Sequence, residues 1–386
     1  MTVKSKKTRI RVAFPFVGDS VGGSHRSVIE LYYGLLGKNI EPFFVLHDRT
    51  GPLEELLRSL DINYYYLKIP KLAGESPALS DIAFSLLRSS IYIVRFLKKH
   101  SIDLVHGNDL RVNLIWSVPT RLLGRKYIWH QRSLMSSSIL WKASLLLANH
   151  FVTISDYVSQ SLPNNIPKSK KSLVLNPFNT KEFYDKYSSR RLINDLYGVP
   201  KKSILIGYIG RIVEWKNLDF LIESFIKYEN KSDLHLHLII VGTGVNEYAD
   251  TVKQLAYKLG STNTITFAGF SLNPSRVLSS LDLMIAPSST EPFGRTLVES
   301  MIQKTPVLAA RGGGHSEIIT HGVTGRLYEH NNIGSFTKQL GICLTDNRSM
   351  HKMISNASIN ATSKYCSHKH TESIVQVYKD QYINKI

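Results

Sequence analysis

Short apolar runs alternate with longer amphipathic segments through the first half of the chain. Residues 9–16 predict a strand, and residues 24–36 then carry Val28, Leu31 and Leu35 at the spacing of one helical face. Such alternation favours a parallel sheet with helices on both faces, because each parallel connection needs a crossover. The other elements predicted in this half are strands at 42–46, 104–106, 127–130 and 151–155, and a helix at 53–60.

The second half repeats this scheme, so we expect an α/β chain of two Rossmann-like domains. A turn-forming Asn-Pro stretch at 175–179 lies between the halves and is typical of a hinge. One domain is therefore predicted over 1–177 and the other over 178–366, followed by a helix at about 367–386. The elements predicted in the second half are strands at 204–209, 234–241, 264–267, 283–286 and 307–309, and a helix at 218–226.

The composition is that of a globular protein of two ordinary domains. The 386 residues are 43% hydrophobic and 20% charged, and both cysteines, Cys343 and Cys366, lie near the C-terminus. Two cysteines make neither a disulfide framework nor a cysteine-rich metal site, which favours a reducing, cytoplasmic setting. The sequence has neither a signal-peptide h-region nor an apolar run of about 18 residues, so no transmembrane helix is expected.

The net charge of +18 is concentrated in the first half of the chain. Residues 1–171 carry 24 Lys and Arg against 12 Asp and Glu, a net charge of +12. A basic surface attracts nucleic acid, an anionic membrane or an acidic substrate, and charge alone leaves these three open.

Two carboxylates flank a predicted strand-to-helix turn in the second half. Glu291 follows the strand at 283–286, and Glu299 lies about two turns into the helix, at about 3.6 residues per turn. Backbone N–H groups at a helix N-terminus bind anions, and carboxylates accept hydrogen bonds from hydroxyls. A nucleotide sugar, with a central diphosphate and hydroxyl-rich ends, fits this layout; the alternative is a helix cap beside a surface glutamate. The residues expected to present the N–H groups are Phe293, Gly294, Arg295, Thr296 and Leu297.

Two other loops that follow predicted strands suit a phosphate ligand. Arg211 and Lys216 lie between the strand at 204–209 and a helix, at the end of the sheet where such folds bind ligands. Two solvated cations are the alternative there. Gly22 and Gly23 stand at the first strand-to-helix turn, where glycine either admits a ligand close to the backbone or makes an ordinary tight turn.

The run Glu-Pro-Phe-Gly at 291–294, followed by Glu299 and by Pro-Val at 306–307, resembles the Glu-x7-Glu signature of retaining GT-B glycosyltransferases, family 4 in particular. The resemblance extends over residues 22–325, nearly the whole chain. It implies the GT-B fold, in which two Rossmann-like domains with parallel sheets face an interdomain cleft. It also implies that the N-terminal domain holds the acceptor, that the C-terminal domain holds the sugar nucleotide, and that the helix at about 367–386 packs back on the N-terminal domain.

The resemblance gives the charged residues of the second half roles in donor binding. Arg211 and Lys216 are expected to stabilise the charge that develops on the leaving diphosphate, as preorganised charges do in a closed site. Glu291 is expected to accept hydrogen bonds from hydroxyls of the donor sugar, and Glu299 from the ribose. No enzyme nucleophile is evident, so a front-face substitution assisted by the leaving phosphate is the expected mechanism.

Other positions are compared with the family one residue or one short loop at a time. His130, at the tip of a predicted strand, resembles the active-site histidine that positions the transferred sugar; His106 is the second choice, and a structural role is the alternative. By resemblance, the loop at 22–23 faces the phosphate of the donor and Phe270 contacts the nucleotide base. Lys304 departs from the family pattern, which commonly has glycine there, and a positive φ would strain a lysine.

The sequence contains no Asp-x-Asp motif, the divalent-metal clamp of the other large glycosyltransferase architecture, and no His/Cys spacing that indicates zinc. We therefore expect neither a metal nor another cofactor. Cationic side chains and helix N–H groups are expected to neutralise the diphosphate instead.

These features predict a retaining, metal-independent glycosyltransferase. It is expected to move a sugar from a nucleotide sugar to a hydroxyl of a glycan or lipid-linked acceptor, as in the assembly of cell-surface polysaccharide, lipopolysaccharide or glycolipid. One alternative is a catalytically idle GT-B scaffold that binds polyanions or nucleic acid through its basic half. The intact set of charged donor residues argues against it, so nucleic acid is not an expected partner. A GT-B sugar-nucleotide epimerase, which needs no acceptor, is the other alternative.

An anionic membrane surface is a further expected partner. Residues 81–100 place apolar side chains on one face of a basic amphipathic helix, and residues 134–148 add a second apolar segment. The alternative is that these apolar faces belong to the core. The expected location is the cytoplasm, on the inner face of the cytoplasmic membrane. The basic side chains of the first segment are Arg88, Arg95, Lys98 and Lys99.

Overall fold

The computed structural model describes most of the chain in six segments. Of residues 79–85 and of residue 383 it describes the backbone alone. The described segments are 9–69, 79–135, 145–244, 247–261, 263–271 and 273–383.

The chain forms two compact units. The first contains Met1–Phe178 and Ser367–Ile386, and the second contains Asn179–Cys366. The boundary that the sequence predicts, after residue 177, lies one residue before the boundary between the units.

The first unit is built, within the described residues, on a seven-stranded parallel sheet of order β3-β2-β1-β4-β5-β6-β7. The chain proceeds from β1 to one edge, returns beside β1 as β4, and continues to the other edge. This reversal makes a switch point between β1 and β4, where sheets of this kind bind ligands at the carboxyl ends of their strands. The strands are β1 (Ile10–Phe16), β2 (Ile40–Leu46), β3 (Tyr64–Tyr66), β4 (Leu104–Gly107), β5 (Lys126–Gln131), β6 (His150–Thr153) and β7 (Lys171–Leu173).

Helices cover the sheet because its central strands are apolar on both faces. Val12, Ala13 and Phe14 of β1 are fully buried, and Val28 and Leu31 of α1 lie in the same core as Val12 and Phe14. The helices of this part of the unit are α1 (Gly23–Leu35), α2 (Pro52–Ser59), α3 (Leu79–Lys99), α4 (Leu110–Leu122) and α5 (Asp156–Gln160).

The last helix, α14 (Ser367–Ile383), belongs to the first unit although it follows the second in sequence. Its residues Ile374, Val377 and Tyr378 are buried in the core that also contains β1. At its start, the Ser367 hydroxyl donates to a Glu30 carboxylate oxygen at 2.6 Å. The end of the chain thus supplies part of the interior of the first unit.

The second unit has, in its described part, a six-stranded parallel sheet of order β10-β9-β8-β11-β12-β13, with a switch point between β8 and β11. Its strands are β8 (Ile204–Ile209), β9 (Leu236–Val241), β10 (Ile265–Gly269), β11 (Leu283–Ala286), β12 (Val307–Ala310) and β13 (Arg326–Tyr328). Its helices are α6 (Lys186–Tyr197), α7 (Leu218–Glu229), α8 (Glu247–Lys258), α9 (Pro274–Ser280), α10 (Arg295–Ile302), α11 (His315–Ile318), α12 (Ile333–Thr345) and α13 (Asn347–Lys364).

Two Rossmann-like α/β sheets confirm the fold class that the sequence predicts. The pattern misses the strands β3, β7 and β13, because three residues are too few to show a period. The concern about Lys304 is confirmed: its φ of 58° is left-handed. It follows α10 at a position where helices commonly end in glycine.

The two segments considered for membrane contact are described only in part. Residues 81–99 lie within α3, but the side chains of 81–85 and the whole of 136–144 fall outside the described residues. Among the helices that the structure describes, none combines the length and apolar character needed to cross a bilayer.

Candidate active site

The loop that carries Glu291 leads from β11 into α10 at the switch point of the second unit. Gly294 caps α10 with a φ of 107°, a conformation that favours glycine. Phe293 and Leu297 are buried and anchor the loop to the core, whereas Glu291 is only partly buried. The turn therefore holds the carboxylate at the carboxyl end of the sheet.

One of the backbone N–H groups predicted to bind the phosphate already makes a hydrogen bond within the helix. The Leu297 N–H donates to the Gly294 carbonyl oxygen at 3.1 Å, so the prediction of a free Leu297 N–H is wrong. The physical reason is that the first turn of a helix is often closed by a tighter i to i−3 hydrogen bond.

The structure brings Lys216 and Glu291 into direct contact. Lys216 ends a short 3-10 helix after β8, and its Nζ lies 2.5 Å from Glu291 Oε2. Each side chain is 17% exposed, so the pair is partly shielded from water. The two loops meet because β8 and β11 are neighbours in the sheet. A cation and a hydrogen-bond acceptor are therefore adjacent at the switch point.

Arg211 and Phe270 remain outside this pair. Arg211 is exposed just beyond β8, and Phe270 follows β10 with 69% of its surface exposed. An exposed aromatic ring at the carboxyl end of a strand is available to stack on a planar ligand.

Glu299 lies one helical turn from Arg295, and their side chains form an ion pair of 3.4 Å. Both side chains are less than one-fifth exposed. Thr296, between them, is partly buried. The second predicted carboxylate is thus present on the first turns of α10, with a cation as its partner.

The glycine run 312–314 packs against the loop that carries Glu291. The Gly314 N–H donates to the Glu291 carbonyl oxygen at 2.8 Å. A Cβ on Gly312, Gly313 or Gly314 would lie 2.4, 2.6 or 2.3 Å from a carbonyl oxygen of the opposing loop. The backbone of the glycine run therefore packs directly against the backbone of the Glu291 loop.

His315 follows the glycine run and is buried behind the Lys216–Glu291 pair. Burial lowers the pKa of His315 to about 4, although the Glu291 charge opposes this shift. Its Nδ1 lies 3.3 Å from the Ala310 carbonyl oxygen, so Nδ1–H is the donor there. A neutral histidine therefore packs against the loop.

In the first unit, Gly22 and Gly23 stand between β1 and α1 at the switch point. Gly22 has an extended φ of −143°, which any residue adopts, and a Cβ there would meet only His25 Nδ1 at 4.0 Å. A tight turn therefore does not account for glycine at this position. The Gly22 N–H donates to His25 Nδ1 at 3.0 Å.

His130 lies at the end of β5 and contacts His106 from the neighbouring strand β4. His130 Nδ1 is 3.0 Å from His106 Nε2, and the two ring planes differ by 11° with centroids 5.2 Å apart. His106 Nδ1 is in turn 2.6 Å from the Tyr378 hydroxyl of α14. The first and second histidine choices thus belong to one buried cluster.

Both histidines are held in the neutral form. Burial, followed by the Arg132 charge, lowers the pKa of His130 and of His106 well below the ordinary value. His130 Nε2 is buried without a hydrogen-bond partner among the described residues. An unsatisfied buried polar atom costs about 1–3 kcal/mol, which marks this atom for an external partner.

Sequence reasoning missed Arg132 and Tyr378. Arg132 lies two residues after His130, a spacing that puts side chains on one side of an extended chain, and this local signal was available. Tyr378 is 272 residues from His106, so only the folded chain shows that contact. No group of three or more potential metal ligands occurs in the described part of the chain.

Residues 190–359 match the family of glycosyl transferases group 1. An uncharacterised glycosyltransferase of Methanocaldococcus jannaschii is 28% identical over 234 residues, which span 59% of this chain and 59% of that protein. The capsular polysaccharide biosynthesis glycosyltransferase CapM of Staphylococcus aureus is 20% identical over 80% of this chain and 85% of its own length. The crystal structure of Anabaena HepE with UDP and glucose superposes with a TM-score of 0.83 and 20% identity over 96% of this chain and 99% of that chain. The match over residues 190–359 lies within the second unit, and the likeness to the solved structures shows that the chain has the GT-B fold.

Proposed function

We propose that the protein is a retaining glycosyltransferase that transfers a sugar from a nucleotide sugar to an acceptor hydroxyl without a metal ion. The observation that carries this proposal is the Lys216–Glu291 pair on the supported loop at the switch point of the second unit. This arrangement offers a cation for a phosphate oxygen and a carboxylate for sugar hydroxyls within one contact.

The donor-binding roles follow from the charges. Departure of the nucleoside diphosphate leaves negative charge on its terminal phosphate, which Lys216 and Arg211 would stabilise. When a donor binds, Lys216 exchanges its contact with Glu291 for the phosphate, and Glu291 becomes available to the sugar. Glu299 would accept hydrogen bonds from the ribose, and the exposed ring of Phe270 would stack on the base.

Retention follows if the acceptor attacks from the face that the diphosphate leaves. In that step the bond from the anomeric carbon to the phosphate oxygen breaks and the bond to the acceptor oxygen forms. The acceptor proton passes to the departing phosphate oxygen, so the reaction balances without an enzyme nucleophile. The anomeric configuration of the product, read by NMR coupling constants, is the direct measure of this part of the proposal.

The acceptor proposed is a glycan or lipid-linked sugar of cell-surface polysaccharide assembly. The name of the related CapM protein refers to capsular polysaccharide biosynthesis, and residues 1–171 carry a net charge of +12, which favours an anionic acceptor. Because the similar HepE structure contains UDP and glucose, UDP and UDP-glucose are the first nucleotides to test.

Nucleotide binding tests the donor site directly. A nucleotide at about 100 times its Kd should stabilise the protein by about 2.7 kcal/mol, which a thermal-shift screen of UDP, GDP, ADP and their sugars detects. Arg211→Ala and Glu299→Ala should abolish the shift. Lys253→Ala is the matched control, because Lys253 is an exposed lysine of α8.

The outcomes separate the candidate functions. A shift with one nucleotide, lost in both site variants and kept in the control, supports the proposal. No shift with any nucleotide favours the idle scaffold. Conversion of the bound donor to a second sugar nucleotide without acceptor identifies the epimerase.

We also propose peripheral contact of the first unit with an anionic membrane. In α3, Leu87, Ile91 and Tyr92 are exposed while Ile93 and Leu97 are buried, so the helix packs one side in the core and leaves other apolar side chains at the surface. Exposed basic residues on the same helix suit anionic lipid headgroups. These residues are Arg88, Arg95, Lys98 and Lys99.

Charge reversal on α3 should weaken vesicle binding. Each basic residue near an anionic surface contributes about 1 kcal/mol, so triple reversal of Arg95, Lys98 and Lys99 to Glu should lower partitioning by about 100-fold or more at low salt. Sedimentation with phosphatidylglycerol vesicles measures this. A triple reversal in the second unit is the control and should bind as the wild type does. Absence of wild-type binding at low salt contradicts membrane contact. The control residues are Lys338, Arg348 and Lys352.

A further inference from the structure

A hydrogen-bonded chain runs from the last helix of the protein to His130. It starts at the Tyr378 hydroxyl on α14, which lies 2.6 Å from His106 Nδ1. It continues from His106 Nε2 to His130 Nδ1 at 3.0 Å. Tyr378 and His106 have no exposed surface and His130 has 1%, so water does not replace either contact.

Arg132 fixes the direction of this chain. Its Nη2 lies 3.3 Å from His130 Nδ1, and a guanidinium only donates hydrogen bonds. His130 Nδ1 is therefore an acceptor and carries no proton. His106 must then donate through Nε2–H, which leaves His106 Nδ1 to accept from the Tyr378 hydroxyl.

The orientation of Arg132 is itself determined. Its Nε donates to Asn108 Oδ1 at 2.9 Å, and its Nη1 donates to Asn176 Oδ1 at 2.7 Å. Asn176 Oδ1 also accepts from the Ser27 hydroxyl at 3.3 Å. Two contacts to separate loops hold the guanidinium plane, so the third N–H remains directed at His130.

The opposite direction of the chain fails at one contact. If His130 held its proton at Nδ1, that N–H would face both the Arg132 N–H and the His106 ring, and only the latter could accept it. One arrangement alone satisfies all three contacts, and in it the proton of the neutral His130 ring is on Nε2. That atom is the buried one that has no partner among the described residues.

We propose that Tyr378 and His106, beside Arg132, are positioning residues that hold His130 as its Nε2–H tautomer, so that His130 donates a hydrogen bond to an oxygen of a bound substrate. This inference rests on the proposed function, and it assigns His130 a donating role, not that of a general base. It also gives the C-terminal helix a part in the chemistry, since the chain begins on α14.

The tautomer is measured without any ligand or turnover. Two-bond 15N–1H spectra of protein labelled at histidine distinguish the Nε2–H tautomer, the Nδ1–H tautomer and the imidazolium. Spectra of His130→Gln and His106→Gln assign the two resonances. We expect His130 and His106 both as Nε2–H in the wild type. If His130 is found as the Nδ1–H tautomer or as the imidazolium, the proposed direction of the hydrogen bonds from Tyr378 to His130 is wrong, whether or not the proposed function holds.

Two pairs of variants test its consequence for turnover. Tyr378→Phe removes one hydroxyl, and its matched control is Tyr328→Phe, another fully buried tyrosine whose hydroxyl has no hydrogen-bond partner in the described structure. Tyr378→Phe should give mixed tautomers at His106, whose Nδ1 loses its hydrogen-bond donor, and a severalfold lower kcat because the His106 contact that positions the His130 ring is weakened. Tyr328→Phe should leave both unchanged. Equal kcat in the two variants overturns the role of Tyr378.

At His106, a donor placed at the Nε2 position should rescue the enzyme. The amide nitrogen of His106→Gln reaches about that position, whereas the amide of His106→Asn reaches the Nδ1 position. We expect His106→Gln to retain kcat within a few-fold and His106→Asn to lose about tenfold or more, the effect of one buried hydrogen bond. UDP binding should be the same in both. Equal losses of kcat overturn the positioning role, while loss of UDP binding in the wild type would instead count against the proposed function.

Discussion

Lys216→Ala should lower kcat by about 100- to 1,000-fold, the effect of removing one preorganised charge from a developing oxyanion. In the wild type, Lys216 lies against Glu291 in a partly shielded contact. The alanine variant removes the cation for the leaving diphosphate and leaves the Glu291 carboxylate without its partner. Glycosyl transfer from the donor identified by nucleotide binding is the measurement, with kcat and KM determined separately.

A double-mutant cycle with Glu291→Gln separates the pair from the individual roles. Because the two side chains touch, their effects on stability should be strongly non-additive, while Lys216→Ala and Glu299→Ala, which break different ion pairs, should be closer to additive. The exposed Lys253 of α8 is the matched control for loss of a lysine, and Lys253→Ala should keep full turnover. If the kcat of Lys216→Ala is within a few-fold of the wild-type value, Lys216 does not stabilise the leaving diphosphate.

Arg211→Ala makes the complementary comparison. Arg211 is exposed and lies outside the Lys216–Glu291 contact, so its removal should change the free energy of unfolding by about 0.5 kcal/mol or less. A large loss of turnover without a loss of stability would show that the arginine acts on the substrate alone. Lys216→Ala should reduce both quantities, because it also breaks a contact that exists without ligand.

The sequence predicts the loops and the helix on which these residues lie because that information is local. Glu291 and Glu299 lie eight residues apart on one turn and helix, and Arg211 and Lys216 lie on one loop after a strand. Apolar β11 and β8 fix which end of the sheet these loops occupy. The departure at Lys304 is also visible in the sequence, because it concerns a single position after a helix, and the structure shows the positive φ there. Local spacing, however, did not show that Lys216 and Glu291 touch.

The histidine cluster marks the limit of sequence reasoning. His130 could be named from its position at a strand end, but its partners come from β4 and from a helix 272 residues after His106. Tyr378 looks like any apolar residue of an amphipathic tail helix, and its hydroxyl acquires a role only where α14 packs in the first unit. Such contacts follow from tertiary packing, which leaves no periodic trace in the sequence.

For the glycine run 312–314, the sequence predicts the local conformation but not the tertiary contact. Three glycines in sequence predict a turn, and a turn is present. The structure adds that each Cα lies against the backbone of the segment 289–293. Glycine is needed there because the backbone of residues 289–293 is close, and not only because the run forms a turn.

Gly314→Ala should weaken binding of the nucleotide sugar, although the backbone conformation of Gly314 is one that alanine adopts. Its φ is −63°, so no left-handed strain arises. The new Cβ would lie 2.3 Å from the Phe293 carbonyl oxygen and 2.5 Å from Phe293 Cα, and backbone atoms cannot move aside as a flexible side chain can. The loop of Glu291 must shift, and the hydrogen bond from Gly314 N–H to the Glu291 carbonyl oxygen is lost with it. Overpacking of this kind costs about 1–3 kcal/mol.

We expect nucleotide-sugar affinity to fall by more than about tenfold, since every 1.4 kcal/mol of displaced contact is tenfold in Kd. Isothermal titration with the donor measures the affinity, and thermal unfolding measures the stability. Gly341→Ala is the matched control: it adds the same methyl group in helix α12, where the nearest atom is the Tyr228 hydroxyl oxygen at 3.4 Å. Alanine is the better helix former there by about 1 kcal/mol, so this control should keep wild-type affinity and unfold no earlier. If Gly314→Ala binds the donor as tightly as Gly341→Ala does, the glycine run does not hold Glu291 in place, and the carboxylate must owe its position to Lys216 and the turn at Gly294 alone.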